Sequence, residues 1–188
     1  MRGLWREELG RIDAERLVFV DEMGTHTSLA PLYAYAPIGE RASFEIPRNR
    51  GKNTTLLTSL HVDGMGPSMA VEGATTARVF ETYVEERLLA PALEPAQVVV
   101  MDNLGAHRPK RVRELIEGRG CELVYLPAYS PDLNPIEEAL SKIKHLLRRI
   151  GARTKEALVE VMGRALGAVS ARDARGFFAH CGYRIPAQ

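Results

Sequence analysis

The sequence predicts an α/β domain built on a mixed sheet, an antiparallel meander followed by parallel crossovers, with helices on its flanks. Three observations carry this. Leu17-Val-Phe-Val is a compact β-branched and aromatic run closed by Asp21 and the breaker Gly24, as a buried strand would be. Gln97-Val-Val-Val-Met is almost continuously apolar, the pattern of a strand covered on both faces. From Thr75 onward helical and strand patterns alternate as helix, strand, helix, strand, helix, the order of parallel crossovers.

In chain order, residues 1–15 form a polar lead-in of mixed charge with helical character, residues 16–150 the core, and residues 151–188 a pair of closing helices. Leu17 to Glu22 is the first strand. Tyr33 to Ile38 and Thr54 to Val62 read as the next two, with Pro37-Ile-Gly39 and Asp63-Gly-Met-Gly66 as turns, which makes a three-stranded meander. Thr75 to Leu89 places Val79, Tyr83 and either Arg87 or Leu88 along one side of a helix that Pro91 and Pro95 close. Gln97 to Asp102 is a strand, Pro109 to Gly118 a helix and Glu122 to Leu126 a short strand, which completes a five-stranded sheet. Asn134 then reads as N-cap and Pro135 as first residue of a helix that runs to Ile150. Thr154 to Ser170 and Ala171 to Cys181 follow as helices.

A chain of 188 residues is long enough for a substantial core, and a net charge of +1 says nothing by itself, because nucleic-acid binding depends on where basic residues cluster. Cys121 and Cys181 have neither metal-ligand spacing nor a disulfide framework, which fits a reducing cytoplasm. No run approaches membrane-spanning length, and Met-Arg-Gly-Leu-Trp5 lacks the apolar stretch of a secretory leader. No membrane partner is expected.

Two strands end in an aspartate, Asp21 and Asp102, and a helix begins with the pair Glu137 and Glu138. Carboxyl ends of strands are where α/β sheets build sites. Each residue has an ordinary explanation as well: a turn or capping aspartate, or, for Glu137, the capping box Asn134-x-x-Glu137. Three carboxylates gathered together would repel one another without a cation, and a donor set of hard oxygens without a His or Cys cluster suits Mg²⁺ or Mn²⁺ rather than zinc. An aspartyl-phosphate mechanism of the haloacid dehalogenase type is disfavoured, since it needs a second Asp where Met23 stands.

Val98-Val-Val-Met-Asp102-Asn-Leu-Gly-Ala-His107, followed by Leu126-Pro-Ala-Tyr-Ser-Pro-Asp-Leu-Asn-Pro-Ile-Glu137, resembles the catalytic domain of DDE transposases of the mariner-like insertion-sequence superfamily. Thirty-four residues, 103–136, separate Asp102 from Glu137, a spacing similar to that of the superfamily, and Phe19-Val-Asp21-Glu-Met-Gly24 and Gly182-Tyr-Arg184 fit as well. The resemblance covers about residues 16–184. It implies a ribonuclease H-like fold with a mixed five-stranded sheet and flanking helices. It also implies a triad of Asp21, Asp102 and Glu137 that binds two Mg²⁺ or Mn²⁺ ions, cleaves DNA at insertion-sequence ends and transfers the cut strand. The implied partners are double-stranded transposon ends and target DNA, a second copy of the chain, and a helix-turn-helix domain or upstream-frame product. The setting would be cytoplasmic and nucleoid-associated. Two departures stand out. Leu140 occupies the place three residues after the glutamate where family members often carry Trp, and no helix-turn-helix segment is recognisable, as expected of a split-frame product, a truncated copy or an isolated domain. The alternative reading is a non-catalytic DNA-binding or regulatory remnant of a transposase.

Helix geometry separates the two glutamates. Ile136, Leu140, Ile143, Leu147 and Ile150 form the buried stripe; Glu137 lies on its flank and Glu138 opposite, where it reads as a solvent-facing partner of Lys142. Lys144 and Arg148 share the flank of Glu137. From Ala139 to Arg153 there is no acidic residue, and Lys142, Lys144, Arg148 and Arg149 make a basic stripe; Arg108, Lys110 and Arg111 make a second cluster. Both are candidate backbone contacts to DNA and equally plausible as solvated helix faces. Asn103 and His107 are auxiliary candidates for orienting water or phosphate, or for loop hydrogen bonding.

Overall fold

The computed structural model describes residues 5, 7, 9, 11–49, 51–89, 92–103 and 110–185. Its five-stranded sheet comprises β1 (Leu17–Thr25), β2 (Thr54–His61), β3 (Gly64–Glu72), β4 (Val98–Met101) and β5 (Glu122–Tyr125) in the order β3-β2-β1-β4-β5. β1 to β3 pair antiparallel, whereas β4 is parallel to both β1 and β5, so the sheet is mixed as the sequence predicts.

The meander is not built from the expected segments. Tyr33 to Ile38 lies in a long irregular arm between β1 and β2, with Tyr33, Tyr35 and Ile38 almost fully exposed, and it pairs with no strand. Its prolines at 31 and 37 and its lack of a buried face explain why alternation did not become a strand. The third strand is instead Gly64–Glu72, part of which reads as a turn in the sequence. It is an edge strand, where Pro67 needs no ladder donor, and Gly66 lets its backbone lie close over Ser59 and His61 of β2.

Helices α1 (Ala77–Tyr83) and α2 (Lys110–Gly118) cover one face of the sheet; α3 (Pro135–Ile150), α4 (Lys155–Gly167) and α5 (Ala171–His180) cover the other. The first predicted helix begins at Ala77 on a Thr76 cap, and after Tyr83 it widens into a π-helical stretch, Val84–Leu89. Alternation along the strands feeds both layers. Val18, Val20, Val99 and Met101 pack with Phe80, Tyr83, Val112 and Ile116. Leu17, Phe19, Val98 and Val100 pack with Ile136, Ile143, Leu147 and Phe178, and the lead-in contributes Trp5 and Leu9 to the same layer. Of the expected α3 stripe only Ile150, at the helix end, is exposed. The two cysteines are free, one in each layer.

Candidate metal and DNA-processing site

β1 and β4 are parallel neighbours whose register runs to Val20↔Met101. The next residue on each is an aspartate, so Asp21 and Asp102 continue side by side on strands about 4.8 Å apart. By alternation both belong to the face of Phe19 and Val100, which α3 covers. Glu137 in the first turn of α3 completes the arrangement: Asp21, Asp102, Glu137 and Lys144 border one hollow together with Glu22, Met23, Gly24, Leu140 and Ser141. Asn103, Asn134, Ser130 and Tyr129 line an adjoining cavity of about 370 Å³ that also contains Asp102 and Glu137.

Asp21 is 8 % exposed, and burial of a carboxylate demands compensation. Its Oδ1 accepts from the Glu22 amide at 2.7 Å, and its Oδ2 accepts from Asn134 Nδ2 at 3.1 Å. Asn134 sits at the N-cap position as expected, but its side chain does not cap the helix, so the capping box with Glu137 is not formed; the amide is turned onto Asp21 instead. Glu137 stands exposed at the rim. The donors are all carboxylate oxygens, which suits a hard divalent cation. As the side chains stand, no three acidic, His or Cys groups among the described residues close into a ligand set.

Glu138 behaves differently from expectation. It is half-buried rather than solvent-facing, and its Oε1 meets His180 Nδ1 at 2.5 Å instead of Lys142. The cause is α5: Ser170 and Asp173 form a capping box at its start, which sets Asp173 beside α3, where it takes Lys142 at 2.6 Å. Beside Glu138, burial above all and then the charges of Glu138 and Asp132 push the Cys181 thiol up to about 12, so it stays neutral.

The basic candidates separate by environment. Lys144 borders the carboxylate hollow, and Arg148 and Arg149 line a cavity farther along α3 with His145 and Tyr33. Lys110 and Arg111 lie on α2, across the sheet, in ion pairs with Glu114 and Glu85. Arg108 and His107 lie outside the described residues. Sequence reading passed over two features. One is the role of Asn134, for which the only signal was a polar residue beside Glu137. The other is Tyr129, which stands 94 % exposed at the rim with a left-handed φ of 55° that non-glycine residues rarely adopt.

The profile of the DDE superfamily endonucleases matches residues 16–159. Among solved structures, a Mos1 mariner paired-end complex with Mn superposes with a TM-score of 0.74 at 18 % identity, covering 96 % of this chain and 56 % of that one. A pre-cleavage Mos1 transpososome gives 0.73 at 18 % identity, with 96 % and 56 % covered. The catalytic domain of Mos1 mariner transposase gives 0.67 at 16 % identity, with 96 % and 84 % covered. The chain thus spans just over half the length of the Mos1 chains in the DNA complexes. No curated protein sequence matches significantly.

Proposed function

The chain belongs to the DDE superfamily endonucleases, and on that premise we propose that it is the catalytic domain of a transposase, which cleaves DNA at insertion-sequence ends and transfers the cut strand to a target. The observation that carries this is the convergence of Asp21, Asp102 and Glu137 on one hollow at the carboxyl ends of adjacent parallel strands. The fold shared with the Mos1 catalytic domain supports it.

Asp21, Asp102 and Glu137 would hold divalent ions, Mg²⁺ or Mn²⁺, through their carboxylate oxygens. Such ions would supply activation of the attacking oxygen and charge stabilisation at the leaving oxygen. Asp21 and Asp102 would offer two ligands from the sheet, and Glu137 a third from the helix. Lys144, two turns along α3 from Glu137, reaches the same hollow and holds a phosphate of the bound strand. Asn103, beside Asp102, lines the wall on which the phosphate or the attacking water is oriented. The substrate is double-stranded DNA, with Arg148 and Arg149 continuing the backbone track. A helix-turn-helix module, in the same protein or a separate one, would recognise the ends, with two copies of the chain pairing them. The Mos1 paired-end complex supports such pairing by analogy. The setting is cytoplasmic, at the nucleoid; among the described residues no helix is long and apolar enough to cross a membrane.

The test is nicking of DNA carrying the element's ends, with Mg²⁺ or Mn²⁺, with and without a supplied DNA-binding partner. Asp102→Ala is expected to abolish cleavage with an unchanged circular dichroism spectrum. Full activity in that variant would overturn the assignment of Asp102 to the site, whereas metal-independent binding without cleavage under any condition would replace the enzyme by a DNA-binding regulator.

A further inference from the structure

Asn134 is 2 % exposed, directly before Pro135, and its backbone carbonyl accepts from the Glu137 amide at 3.1 Å. At an N-cap, an asparagine normally turns its side-chain oxygen onto the helix's own free N–H groups. Here that contact is given up, and Nδ2 reaches across 113 residues of chain to Asp21 Oδ2 at 3.1 Å. A broken local rule beside a buried carboxylate marks a functional constraint rather than a folding preference.

The turn that presents Asn134 is held from outside. The Tyr183 hydroxyl donates to the carbonyl of Leu133, the residue immediately before Asn134, at 2.6 Å. Trp5 Nε1 lies 3.4 Å from the same hydroxyl, and the Tyr183 ring packs edge-on against Phe19 of β1 at 5.2 Å. Phe19 is two residues before Asp21 on the same face of the strand. One tyrosine therefore touches both the strand that carries the first carboxylate and the turn that carries its amide donor.

We propose that Asn134 is a positioning residue for the metal ligand Asp21, and that Tyr183 holds it in register, so that the first carboxylate and the helix bearing Glu137 are locked together before an ion arrives. The amide occupies Oδ2 and orients the carboxylate plane; Glu137, one turn later, is carried at a set distance from it. This rests on the reading of Asp21, Asp102 and Glu137 as metal ligands. Partners that orient a ligand typically change metal affinity by about 10- to 100-fold when removed.

The probe is Mn²⁺ alone, titrated into the DNA-free chain and followed by the loss of the free-ion electron paramagnetic resonance signal, with thermal unfolding recorded in parallel. Asn134→Ala is expected to weaken Mn²⁺ binding about tenfold or more. Tyr183→Phe, which removes a single oxygen and leaves the ring packing, is expected to weaken it severalfold while the fold remains intact. Asn134→Ala or Tyr183→Phe protein that folds and binds Mn²⁺ within twofold of the parent overturns the positioning role, and Tyr183→Phe decides the matter alone if Asn134→Ala does not fold. Asp102→Asn is the separate control. If it leaves Mn²⁺ binding unchanged, the ions do not sit among these carboxylates, and the metal-site reading and the positioning role fall together.

Discussion

His180 Nδ1 and Glu138 Oε1 meet at 2.5 Å on the outer side of α3, and the carboxylate raises the imidazole above its ordinary value of 6.5, through the hydrogen bond first and its charge second. A raised histidine stabilises the fold fully below the unfolded value, and that contribution is lost as pH rises through the folded one. The difference in stability between the parent and His180→Gln is therefore expected to be larger at pH 6 than at pH 9, measured by urea unfolding. His61 acts in the opposite direction: burial holds its imidazole below the ordinary value despite the nearby Asp63, so stability is lost as pH falls below 6.5. The parent's own pH profile mixes the two, and the difference between parent and variant isolates His180. A difference curve flat across that range would show that the contact does not depend on protonation. The two adjacent glutamates thus have distinct employments: Glu137 at the rim of the hollow, and Glu138 in the contact between α3 and α5. Periodicity placed Glu137 correctly on the flank of the apolar stripe, but a single helix wheel holds no information about α5, which turned the supposed outer face into an interface.

At the scale of elements, what the sequence disclosed follows from how local each signal is. Val98-Val-Val-Met and the stripe Ile136, Leu140, Ile143, Leu147 are buried by their own pattern, and both elements lie where that pattern puts them. The edge strand β3 was hidden because Gly64, Gly66 and Pro67 are turn formers in isolation, and only pairing with β2 makes them a strand. Gly66 shows why the residue is tolerated there. A Cβ at that position would lie 2.2 Å from Ser59 Oγ and 2.8 Å from His61 Nε2, and the ladder shifts register between Thr58 and Leu60 beside it. Ser59 is fully buried and has little room to retreat. Gly66→Ala is expected to destabilise the chain by about 1–3 kcal/mol, the usual cost of overpacking, read from the urea midpoint at constant slope. Ser59→Ala added to it should recover part of that loss; no recovery would place the strain on a contact other than Ser59, such as His61.

At the scale of the molecule, a net charge of +1 conceals how unevenly the cations are employed. Lys142 is spent on Asp173, Lys110 on Glu114 and Arg111 on Glu85, all within the protein. Lys144, Arg148 and Arg149 make no ion pair among the described residues, and they run along α3 away from the carboxylate hollow. Clusters that look equivalent in sequence therefore differ in what they can offer a phosphate, since a paired cation must first give up its partner. Each phosphate neutralised by a cation releases counterions and adds about 0.9 to the slope of log affinity against log salt for duplex DNA. Replacing Lys144, Arg148 and Arg149 together by Gln is expected to reduce that slope by about 2–3, uniformly across DNA sequences, as contacts to the backbone require. Replacing Lys110 and Arg111 by Gln should change it by less than about 1. Fluorescence anisotropy on one duplex over a range of KCl concentrations measures both. Equal loss in the two variants would mean that DNA crosses the α2 side of the sheet as well, and a larger loss from Lys110 and Arg111 would move the backbone track off α3 altogether.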